Sequence, residues 1–102
     1  MKYDIFVVES CNGLIFSENI LYNSEQFEMT KTISAVISFI KKYYSGCIHK
    51  QIRTLTDVKT ELKNNNFFTF EDFDEHKITF ILRIWNNSYL VNRDIVLNVK
   101  TY

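Results

Sequence analysis

Proline is absent from this chain and only two glycines occur, so the places where the backbone can reverse sharply are few. Gly13 follows Asn12 and stands between two apolar runs, Tyr3–Ser10 and Leu14–Tyr22. Asn-Gly in that setting is the strongest short-range hairpin signal, because a two-residue type I′ turn needs positive φ at both positions. The pattern predicts an N-terminal β-hairpin whose second strand fades near Asn19. Gly46 is the second punctuation mark and is read as the C-terminal stop of a helix.

The segment between them has a helical period. Met29, Ile33, Val36, Ile37, Ile40, Tyr43 and Tyr44 fall on one stripe, with Lys31, Ser34, Ser38, Lys41 and Lys42 on the other side. Asn23 or Ser24 serves as the expected cap, Glu25 and Glu28 suit the positive end of the helix dipole, and Lys41 and Lys42 suit its negative end. A shorter helix is expected from Thr54, which has Asp57 three residues on in a capping-box position. Leu55, Val58 and Leu62 form its apolar face, and Asn64, Asn65 and Asn66 end it, since asparagine tolerates left-handed geometry.

The last third reads as sheet. Ile78, Phe80, Leu82 and Ile84 alternate with Thr79, Ile81, Arg83 and Trp85, a half-covered strand. Asn86–Ser88 forms a turn, and Ile95, Leu97 and Val99 alternate with Val96, Asn98 and Lys100 as a further strand. The expected fold class is α+β: an antiparallel sheet, built from the N-terminal hairpin plus C-terminal strands, with two helices packed on one face. The order is β-β-α-α-β-β, with room for short extra strands at 67–71 and 89–91. At 102 residues the whole chain, 1–102, is read as a single compact domain.

Composition narrows the function classes. Twelve basic residues cancel twelve acidic ones, which argues against non-specific binding to nucleic acid, since that needs an excess of cations. Charge is nevertheless uneven. Residues 41–63 hold Lys41, Lys42, Lys50, Arg53, Lys59 and Lys63 against Asp57 and Glu61, while Glu71, Asp72, Asp74 and Glu75 stand together without a base. No apolar run is long enough to span a membrane, and the first residues, with Asp4 and Glu9, do not read as a signal peptide. Cys11 and Cys47 are the two cysteines and form no Cys-x-x-Cys pair. They read as buried thiols of a reducing, cytoplasmic setting, or as one disulfide if both face the same layer.

Enzyme templates mostly fail. The glycines lie too far apart for a P-loop or a dinucleotide fingerprint, and neither a Gly-x-Ser-x-Gly elbow nor a His-Glu-x-x-His motif occurs. Cys11, Cys47, His49 and His76 could supply soft metal ligands, but only Cys47 and His49 are close in sequence, so no metal or other cofactor is expected. His49 and His76 could serve as the base and acid of a ribonuclease, with Lys50 steadying phosphate charge.

The segment that stands out is Phe67-Phe68-Thr69-Phe70-Glu71-Asp72-Phe73-Asp74-Glu75-His76, with four rings and four carboxylates in ten residues. Extended, it turns Phe67, Thr69, Glu71 and Phe73 one way and Phe68, Phe70, Asp72 and Asp74 the other. Rings give desolvated contact area and acids select a cationic partner, so Phe70, Glu71, Asp72, Phe73, Asp74 and Glu75 are the expected partner-binding residues. The competing reading anchors the rings in the core and leaves the acids as a solvated loop. The functional expectation is a non-enzymatic inhibitor of a basic protein, such as a bacterial immunity protein against a nuclease-type toxin, whose cleft must be cationic to hold phosphate. A phage-encoded inhibitor of a host defence nuclease fits the same features. An RNA or single-strand binder using 41–63 with Tyr43 and Tyr44, and the His-dependent ribonuclease, are the alternatives from other classes.

Overall fold

The computed structural model describes residues 1–21, 28–44, 54–71 and 76–100, with the side chains of 99 and 100 left aside. The elements in order are β1 (Lys2–Cys11), β2 (Leu14–Ile20), α1 (Met29–Tyr43), α2 (Leu55–Asn65), β3 (Phe67–Glu71), β4 (His76–Asn86), β5 (Tyr89–Leu90) and α3 (Arg93–Lys100). The fold is α+β, as the sequence pattern predicts, with a five-stranded antiparallel sheet and two main helices on one face.

The turn at Asn12-Gly13 forms as expected, with φ of 52° and 81°. Asn87, within the predicted second turn, also takes positive φ, 55°, and joins β4 to β5. The sheet order is β2-β1-β4-β3. β1 pairs with β4 from Lys2↔Trp85 to Cys11↔His76 and so occupies one whole side of it. β3 and β5 therefore share the other side, β3 against Lys77–Ile81 and β5 against Trp85 and Asn86. The β1–β2 ladder slips at Glu9/Ser10, where Phe16 is the extra residue of a bulge.

The core lies between this sheet and the two helices. Ile5 and Val7 of β1, Ile78, Phe80 and Leu82 of β4, and Phe68 and Phe70 of β3 meet Ile33, Val36, Ile37 and Ile40 of α1 and Val58 and Leu62 of α2. Five rings interlock within it: Phe70 stacks on Phe80 at 6.0 Å, and Phe39, Tyr44 and Phe68 surround them. α2 carries the full capping box. Thr54 Oγ1 accepts from the Asp57 N–H at 3.2 Å, and the Thr54 N–H donates to Asp57 Oδ2 at 2.8 Å. Its end is Asn66 in left-handed geometry, φ 67°, inside the predicted asparagine run.

Several expectations need correction or lie elsewhere. Residues 95–99 form part of a helix, not a strand. Ile95, Val96 and Val99 fit a helical stripe as well as they fit alternation, and a five-residue window cannot separate the two periods. α3 packs Val96 on the opposite sheet face, against Val8, Ile81, Phe6 and Leu90. Tyr43, placed on the apolar stripe of α1, stands in solvent against Phe39, while Ile40 and Tyr44, four residues apart, hold the face turned to the sheet. β2 ends at Ile20, next to Asn19, where the second strand is expected to fade. Asn23, Ser24, Glu25 and Gly46, the expected punctuation of α1, lie outside the described residues; Glu28 holds the cap position without a side-chain cap bond.

A candidate protein-docking site at one end of the sheet

β3 places the ten-residue segment singled out in the sequence. Its alternation is as expected: Phe68 and Phe70 turn inward, while Phe67, Thr69 and Glu71 turn to the other face. This removes Phe70 from the expected binding residues. It pairs across from Ile78, stacks on Phe80 and is 1% exposed, so the core claims it. Glu71 is exposed, with its carboxylate 3.6 Å from Lys77 Nζ; an open pair of this kind contributes little stability and can be displaced. Asp72, Phe73, Asp74 and Glu75 lie outside the described residues, but their ends do not: the segment leaves from Glu71 and returns at His76.

That end of the sheet is also where β1 turns into β2. Leu14 and Phe16, beside the Asn12-Gly13 turn, are 75% and 60% exposed, and Ile20, further along β2, is 54% exposed. The cause is topological. α1 packs on β1 and β4, and β2 lies beyond them on the outer side of β1. Among the described residues no helix therefore covers Leu14 and Phe16. Composition predicted a strand here; exposure could be inferred only from the strand order.

His76 ties the two corners together. Its ring lies 5.4 Å from the Phe16 ring, and its Nε2 is 3.5 Å from Glu9 Oε2. The Tyr44 hydroxyl donates to the other oxygen of Glu9 at 3.4 Å. Cys11 is the cross-strand neighbour of His76 and is half-buried. On the far face Ile15 and Phe67 border a groove of about 170 Å³ with Lys77 at its rim.

No protein-family model, curated protein or solved structure matches this chain. Its function must be read from its own surface.

Among the described residues no group of three or more His, Cys, Asp or Glu side chains is placed to hold a metal ion. Cys47, His49 and Lys50, which the metal and ribonuclease readings require, lie outside the described residues. So does Arg53 of the basic stretch. Tyr44, which the single-strand reading would offer to a base, is packed on Phe70 and bonded to Glu9. Among the described residues no helix is long and apolar enough to cross a membrane.

Proposed function

We propose that this protein is a non-enzymatic inhibitor that docks on a basic protein with the end of its sheet. The observation that carries the reading is the exposure of Leu14 and Phe16 at the same end as Glu71 and His76, between which the chain carries Asp72, Asp74 and Glu75. An exposed ring and an aliphatic side chain supply the contact that excludes water, and carboxylates around them accelerate encounter with a cation and penalise other partners. Phe16 takes the anchoring role first assigned to Phe70. A nuclease-type toxin or defence nuclease is the partner class this chemistry suits, since a phosphate-binding cleft presents lysine and arginine. Two cysteines in no Cys-x-x-Cys pair accord with action in a reducing cytoplasm.

The test is co-expression with the product of the adjacent gene, or with a candidate basic nuclease, followed by titration of the purified pair. Wild-type protein should bind and suppress cleavage, and association should slow as salt rises. Two variants divide the site: Leu14→Ser with Phe16→Ser, and Glu71, Asp72, Asp74 and Glu75 all to Ser. Each should weaken the complex at unchanged fold. A partner retained by both variants, or one with an acidic binding face, overturns the reading.

A further inference from the structure

The opposite end of the sheet holds a second, unrelated feature. Between the β4–β5 hairpin and α3 runs a groove of about 360 Å³, walled by Trp85, Tyr89, Leu90, Arg93, Val96 and Leu97. Its size falls in the range of small-molecule sites, roughly 300–1,000 Å³. Trp85 is nine residues along β4 from His76, about 30 Å at strand rise, so this groove and the proposed docking end are separate.

The walls are aromatic and aliphatic, and the main one is fixed in advance. The Trp85 indole N–H donates to Asp4 Oδ2 at 3.1 Å. The Arg83 guanidinium, itself forked onto Asp4 at 2.6 and 2.8 Å, lies 5.2 Å from the centre of the indole ring. Tyr89 and Leu97 leave 67% and 50% of their surfaces in solvent. Arg93 is exposed and forms no ion pair with any described residue. Asp94, in the same helical turn, is not part of the wall. The groove thus combines a rigid aromatic platform with one cation that is in no ion pair with the described residues.

We propose that this groove binds a small aromatic carboxylate. The ring of the ligand packs on Trp85 and Tyr89, and its carboxylate accepts two N–H bonds from the Arg93 guanidinium. An alcohol of the same shape loses the charge-assisted bonds. An aliphatic acid loses the ring contact.

Trp85 is the only tryptophan in the chain, so its fluorescence reports occupancy directly. Phenylpropanoate, phenylpropanol and hexanoate are the probes. Phenylpropanoate should give a saturable change in the micromolar-to-millimolar range, with the alcohol and hexanoate each about tenfold weaker or more. Arg93→Gln should lower the affinity for phenylpropanoate to that for the alcohol and leave the alcohol unaffected. Absence of a saturable signal, equal affinity for acid and alcohol in the wild-type protein, or full affinity in Arg93→Gln each overturns the proposal. The acid-to-alcohol comparison stands on the wild-type protein alone and does not depend on how the variant folds.

Discussion

The side-chain amide of Asn92 donates to the Leu82 carbonyl at 2.7 Å. Its oxygen accepts from the Ile84 N–H at 3.0 Å. On either side of these bonds, the Leu82 N–H reaches the Asn66 carbonyl and the Ile84 carbonyl receives the Val91 N–H. One carboxamide therefore stands in for a peptide group across the gap between β3 and β5, and the outer side of β4 has its polar groups satisfied through Leu82 and Ile84.

Replacing Asn92 with Leu should leave a partly buried donor, the Ile84 N–H, and an acceptor, the Leu82 carbonyl, unmet. The expected loss is about 2–4 kcal/mol, the penalty for two such groups, read as a lower urea midpoint. Asn92→Asp should be no better, because it faces the Leu82 carbonyl with an oxygen. A loss under about 0.5 kcal/mol would show that water replaces the carboxamide at little cost.

Asp4 serves Arg83 and the Trp85 indole at once. Asp4→Ala should cost about 1–3 kcal/mol and alter tryptophan emission, since the indole N–H loses its acceptor and the guanidinium its fork. Arg83→Lys should recover part of the charge pairing but not the two-pronged geometry. Emission identical to wild type in Asp4→Ala would contradict the anchoring of Trp85.

Phe70 and Phe16 should behave in opposite ways. Phe70→Ala empties a space among Tyr44, Phe68 and Phe80 and should cost about 3–5 kcal/mol in chemical denaturation. Phe16→Ala should shift stability by no more than about 0.5 kcal/mol, yet weaken capture of the partner. Equal stability losses in the two variants would place Phe16 in the core and remove it from the docking site.

A methyl group added at Gly13 meets no atom within 4 Å. Gly13→Ala should still destabilise the hairpin by about 1 kcal/mol, through its φ of 81° alone. A thermal melt compared with Asn12→Gly, which relaxes the same turn, separates backbone strain from crowding.

Local chemistry made much of the fold legible. Asn12-Gly13, the Thr54–Asp57 box and Asn66 act within a few residues of themselves, so their neighbours in sequence suffice to define their geometry. The long alternation from Ile78 to Trp85 identifies β4 for the same reason. α3 was not legible, because Ile95 to Val99 is too short to display a period and its position depends on Val8 and Ile81, far away in the chain. The candidate site was legible in chemistry but not in placement. Acids beside rings mark the end of the sheet that holds Glu71, yet which rings face outward depends on the layer above each strand. That layer takes in Phe70 and stops short of Phe16. Asn92 carried no signal at all, since the Leu82 carbonyl and Ile84 N–H that it meets lie eight to ten residues away in the chain.

The extra residue at Phe16 also bears on self-association. An apolar rim strand is ordinarily a template on which identical molecules zip into fibres. Here the irregular spacing denies an incoming strand a continuous ladder, so the protein can display sticky side chains at its margin while its backbone discourages stacking with its own copies.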